Sequence, residues 1–187
     1  ATSFSLPLCC GYEISVPATK TFTNQVVTFL YLAYKLAGLD TPRDDQRGYS
    51  TSGSWKDKFD RIPELMDKTL EMVAPQIEAI AKDINDWNDL YCLGYGATYP
   101  IALEGALKLK EITYAHCEGM LSTEFKHGPL SAVSKGFPII FVSDGTATPL
   151  IISGLNEVKV RGARTIVIAE EDARLRANAD DVIVLPK

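Results

Sequence analysis

The chain is expected to fold as an α/β protein, a three-layer α/β/α sandwich around a mainly parallel sheet. Three observations point there. Leu90–Leu93, Pro138–Ser143, Thr165–Ala169 and Asp181–Leu185 are short, almost wholly apolar runs, as strands covered on both faces require. Helical patterns over Pro100 to about His116 and over Thr148–Arg161 separate the first three runs. The balance of 46% hydrophobic and 23% charged residues over 187 positions suits a globular chain with a sizeable core.

The first segment, Phe4–Cys10 with Gly11 after it, is apolar and expected to be a strand, though it lacks obvious neighbours. From Thr19 to Leu36 apolar residues recur at helical spacing (Phe22, Val26, Phe29, Leu30, Ala33, Leu36), with Thr19 placed to cap and Gly38 to stop the helix. Asp40–Ser54 is polar and rich in turn formers, hence a linker. Pro63 opens a second helical pattern through Ile84, which Pro75 is expected to kink or split. Gly162 stops the helix that begins at Thr148. No internal repeat is evident. An opening strand without neighbours and a first residue other than Met suggest part of a longer polypeptide.

A net charge of −5 with scattered basic residues argues against nucleic acid or an acidic membrane surface as partner. The most hydrophobic stretch, Val26–Gly38, is interrupted by Lys35 and is too short to span a bilayer. The opening residues lack the basic start of a signal peptide. Cys9, Cys10, Cys92 and Cys117 show no metal-ligand spacing. Buried free thiols are expected, and the cytoplasm is the expected compartment. No metal or cofactor is called for.

Chemistry gathers in Leu93–Leu130. Gly94 and Gly96 allow a sharp turn from strand into helix, where a helix N-terminus could hold an anion. On that helix Glu104, Lys108 and Glu111 are spaced i, i+4, i+7, within a stripe of about 60°. Such a stripe is either a solvated face or a proton-transfer site in which a carboxylate works beside a lysine. His116 is expected to end the helix, where an imidazolium suits the helix dipole. His127 sits in a Lys-His-Gly-Pro turn, open to a presented acid–base group or a simple surface residue.

These residues carry a resemblance. YPIALEGALKLKEITYAHCEGMLSTEFKHGPL resembles the isomerase half of the glutamine–fructose-6-phosphate aminotransferase (isomerizing) family, the glucosamine-6-phosphate synthases, which is built from two sugar isomerase (SIS) domains. YEISVPATKTFTNQ, Tyr12–Gln25, is similar to the segment that closes the first of those domains. The resemblance implies that residues 1–40 are the tail of a first SIS domain, 41–54 a linker and 55–187 a second SIS domain without the family's C-terminal tail. It implies formation of glucosamine-6-phosphate from fructose-6-phosphate and ammonia released from glutamine. Glu111 would be the base between C1 and C2 of the open-chain sugar, with Glu104 and Lys108 as partners. His127 would assist ring opening in a neighbouring subunit of a homodimer.

Val16 and Ala18 match positions lining the sugar site, although the family usually has serine at Ala18. A glutaminase domain, most of the first SIS domain with its phosphate-holding loops, and the Schiff-base lysine would lie elsewhere in a full-length protein; Lys187 does not match that lysine. The chain alone is therefore expected to be inactive. Two other readings stay open: a stand-alone SIS sugar-phosphate isomerase or deaminase, and a non-catalytic SIS module that binds a phosphosugar and regulates a partner.

Overall fold

In a computed structural model, residues 3, 5–38, 55–83 and 87–187 are described. The expected linker, Asp40–Ser54, and Ile84 lie outside the described residues. The chain divides into two compact units, Ala1–Met66 and Asp67–Lys187.

The first unit contains α1 (Lys20–Leu36) and α2 (Trp55–Asp60). The expected helix is present within a residue of its ends. Thr19 stands at its N-cap position, but its side chain makes no capping bond. Glu13 supplies one instead, its carboxylate accepting from the Thr21 backbone N–H at 3.0 Å and the Thr21 hydroxyl at 2.8 Å. Gly38 adopts φ 63°, and its N–H reaches the Lys35 carbonyl. No residue of α1 is buried. Phe59 of α2 meets Tyr31 and Tyr34 edge-on, with ring centroids 6.0 and 5.7 Å away.

The expected opening strand is not formed. Residues 5–10 join no sheet, and Leu6 is exposed. An apolar run becomes a strand only when a neighbour takes its backbone groups. Cys9 and Cys10 are free as expected but not buried: Cys9 is exposed and Cys10 half-buried.

Helix α3 (Ile62–Asp83) contains the boundary between the units. Pro75 lies inside it and does not split it. The second unit then runs β1 (Asp89–Gly94), α4 (Thr98–Thr113), β2 (His116–Leu121), two 3₁₀ turns (Phe125–His127 and Pro129–Ala132), β3 (Pro138–Val142), α5 (Thr148–Lys159), β4 (Arg164–Glu170), α6 (Ala173–Asn178) and β5 (Asp181–Leu185). The five strands are all parallel, in the order β2-β1-β3-β4-β5. The three-layer α/β/α expectation holds.

Strand alternation sends successive side chains to opposite layers. Leu90 and Cys92 of β1 pack with Ala102 and Ala106 of α4 and with Cys117 of β2. Val73 of α3 packs on Ile166 of β4 and Ile183 of β5. On the other face, Tyr91 and Leu93 join Phe125, Phe141, Ile151, Leu155 and Leu175 in the largest core cluster. Phe141 and Leu155 are completely buried, each worth about 1.5–3 kcal/mol relative to exposure. At the far edge, Gln76 of α3 reaches β5: Val184 N–H donates to its Oε1 at 2.9 Å, and its Nε2 donates to the Val184 carbonyl at 3.4 Å.

Two readings of single residues change here. His116 does not end a helix: α4 stops at Thr113, Tyr114 turns left-handed at φ 59°, and His116 opens β2. Its Nδ1 lies 2.9 Å from Asp89 Oδ1, its register partner on β1. Cys117 is likewise a fully buried strand residue.

Candidate functional site

The site begins at the end of β1. Gly94 is where the chain leaves the sheet, and a Cβ there would stand 2.3 Å from the Thr98 carbonyl oxygen, so only glycine lets the first turn of α4 sit so close. Gly96 takes φ 59° in the same turn. Further along, a Cβ on Gly119 of β2 would come 2.6 Å from Leu103 Cα. Small residues on both surfaces, Ala102 and Ala106 above and Gly119 below, hold α4 hard against the sheet.

On this seated helix the expected stripe forms an ion cluster. Lys108 Nζ donates to Glu111 Oε2 at 2.6 Å and lies 3.4 Å from Glu104 Oε1. The three side chains keep only 18–24% of their surface in contact with solvent. The Glu111 hydrogen bond raises the Lys108 pKa above the ordinary lysine value; partial burial opposes this, and Glu104 adds to it. Lys108 therefore stays an ammonium between two carboxylates. The arrangement can hold developing negative charge while a neighbouring carboxylate moves a proton.

His127 is exposed at the end of the first 3₁₀ turn, its N–H bonded to the Glu124 carbonyl at 3.0 Å. Gly128 follows with φ 153° and Pro129 opens the next turn. Phe125 anchors this segment, buried with its ring centroid 4.8 Å from that of Tyr91. Phe125 belongs to the layer beneath Tyr91, whereas α4 covers Leu90 and Cys92. The anchor of the His127 turn and the Glu104–Lys108–Glu111 stripe thus lie on opposite faces of the sheet. Within the first unit, Val16 and Ala18 sit in the bend before α1, with Val16 81% exposed and Ala18 half-buried.

Thr98 was not singled out from the sequence. It is buried at the first position of α4, and its hydroxyl contacts Tyr95 and the Val142 carbonyl of β3. A hydroxyl residue at a strand-to-helix turn is the signal that marks it. Among the described residues, no group of three or more His, Cys, Asp or Glu is placed to hold a metal ion, and no helix is long and apolar enough to cross a membrane.

Known proteins share this framework. Glutamine–fructose-6-phosphate aminotransferase (isomerizing) of Pyrococcus horikoshii is 39% identical over 181 residues, 95% of this chain and 28% of the relative. The enzyme of the same name from Methanothermobacter thermautotrophicus is 40% identical over 177 residues, 94% of this chain and again 28% of the relative. This chain thus spans little more than a quarter of either protein. The C-terminal domain of glucosamine-fructose-6-phosphate aminotransferase from Francisella tularensis superposes with a TM-score of 0.79 at 36% identity, over 94% of this chain and 48% of that one. Residues 83–187, more than half of the sequence, match the SIS domain, and the chain belongs to that family.

Proposed function

We propose that this chain is part of the isomerase region of a glutamine–fructose-6-phosphate aminotransferase, the enzyme that makes glucosamine-6-phosphate. One observation carries the reading: a single ammonium, Lys108, held between Glu104 and Glu111 on a helix pressed against the sheet. Residues 1–40 are the tail of a first SIS domain, 41–54 a linker and 55–187 a second SIS domain. The SIS match over residues 83–187 lies inside that last segment and supports the division.

In this reading Glu111 takes a proton from one of the two carbons C1 and C2 of the open-chain sugar and returns it to the other. Lys108 fixes the carboxylate's orientation and balances charge as the enediol-like state forms. Glu104 holds Lys108 from the other side. Val16 and Ala18 line the sugar. His127, whose turn is anchored on the face away from α4, assists ring opening in a neighbouring subunit, which makes the working form a cytoplasmic homodimer. The glutaminase domain, the first SIS domain's phosphate loops and the Schiff-base lysine belong to other parts of the full-length protein.

The test is Glu111→Gln in the full-length protein, with glucosamine-6-phosphate formation as the readout. Loss of the base lowers turnover about 10²- to 10⁴-fold. An unchanged rate overturns the assignment.

A further inference from the structure

The order in which strands are added reverses between β1 and β3. These neighbours lead into α4 on one face and α5 on the other. In open α/β sheets a ligand often occupies the crevice at such a switch point. Here the Thr98 hydroxyl bridges the Tyr95 N–H just past β1 and the Val142 carbonyl at the end of β3. Thr98 Oγ1 accepts from the Tyr95 N–H at 3.1 Å and lies 2.8 Å from the Val142 carbonyl and 3.0 Å from that of Tyr95. A hydroxyl has one proton, and the shorter distance directs it to Val142. Thr98 thus ties the first turn of α4 sideways to β3, while Gly94 lets its carbonyl rest directly on the end of β1.

We infer that Thr98 is a positioning residue for the chemistry on α4: its hydroxyl strap fixes how the helix leaves the sheet, and so where Glu104, Lys108 and Glu111 stand. The inference rests on the reading of Glu111 as a base. Valine at 98 keeps the volume but leaves the Tyr95 N–H and the Val142 carbonyl without the hydroxyl. Buried groups so orphaned draw in water, and the simplest entry is between the helix start and β3. A displacement of about 1 Å at a reacting group is enough to cost up to 100-fold in rate.

The experiment compares Thr98→Val, Thr98→Ser and Glu111→Gln in the full-length protein, at a temperature well below melting. Kinetics are read alongside amide exchange of the β1–α4 segment. Thr98→Val lowers kcat about ten-fold or more, leaves KM within about two-fold and speeds exchange across the first turns of α4. Thr98→Ser, which keeps the hydroxyl, restores both. A merely structural role would lower the melting temperature of Thr98→Val and leave its kcat intact, which overturns the inference, as does a Thr98→Ser variant as impaired as Thr98→Val. If Thr98→Val does not fold, Thr98→Ala, whose smaller side chain admits a bridging water, is read against Thr98→Ser in the same way. Full activity in Glu111→Gln overturns the reading of Glu111 itself. An inactive Glu111→Gln beside an unimpaired Thr98→Val overturns only the role of Thr98.

Discussion

Lys108 donates to Glu111 across 2.6 Å, three residues further along the same helix. Replacing it with methionine leaves Glu104 and Glu111 side by side with no cation. In the full-length protein Lys108→Met is expected to lower turnover about 100-fold. The pH behaviour has a definite sign. Because the Lys108 pKa is raised in the folded state, foremost by the Glu111 hydrogen bond, its contribution is complete below the ordinary lysine value of 10.5 and is lost as pH rises through the higher folded value. Denaturant unfolding of the parent and Lys108→Met should therefore differ by a constant amount between pH 7 and 10. The two curves should converge only in stronger alkali.

Two glycines of the α4 region should respond in opposite senses to alanine. Gly119→Ala places a Cβ 2.6 Å from Leu103 Cα, a backbone contact that only a shift of the helix can relieve, at about 2 kcal/mol. Gly105→Ala, in the body of α4, meets nothing within 4 Å and should stabilise by about 0.5–1 kcal/mol through helix propensity. Urea unfolding midpoints check both, and a stabilised Gly119→Ala would contradict the close seating of α4.

Tyr114 ends α4 in a left-handed conformation, φ 59°, with 91% of its surface exposed. A side chain there is strained and packs against almost nothing. Tyr114→Gly should raise stability by about 1 kcal/mol, measured by the same unfolding experiment.

The four thiols should separate by accessibility. Burial, with Cys117 adding to it, pushes the Cys92 thiol up to about 12, and Cys117 is raised as well, chiefly by its own burial. Neither is reactive as a thiolate near neutral pH. At pH 8 an alkylating reagent should label Cys9 rapidly and leave Cys92 and Cys117 untouched until denaturant is added. Peptide mass spectrometry locates the label.

The sequence made some parts of this fold and site legible for identifiable reasons. Leu90–Leu93, Pro138–Ser143 and Thr165–Ala169 could be read because central parallel strands are apolar on both faces, and Asp181–Leu185, though at the edge, because it too is almost wholly apolar. β2 was missed because it is an edge strand with alternating burial: His116 and Glu118 are exposed while Cys117 is fully buried. The end of α4 was overrun because a tyrosine, not a glycine, takes its left-handed stop. Residues 5–10 show the converse, an apolar composition that joins no sheet among the described residues.

The Glu104–Lys108–Glu111 stripe was legible because i, i+4, i+7 adjacency belongs to any helix. The separation of the His127 anchor from that stripe was not, since it depends on which face each loop crosses after leaving the sheet. The tie from Thr98 to β3 was hidden for the same reason. Its partner Val142 lies 44 residues away, and only the strand order brings them together.

Gln76 lends its amide to Val184 at the β5 edge, accepting from one backbone group and donating to the other. A side-chain amide has the same donor–acceptor pair as a peptide unit, so α3 presents β5 with one residue's worth of a sixth strand. An extended chain approaching from outside finds Val184 already engaged, and continuing the ladder would first require evicting Gln76. The β5 edge is thereby guarded at Val184 against edge-to-edge association of partly folded molecules by a single glutamine.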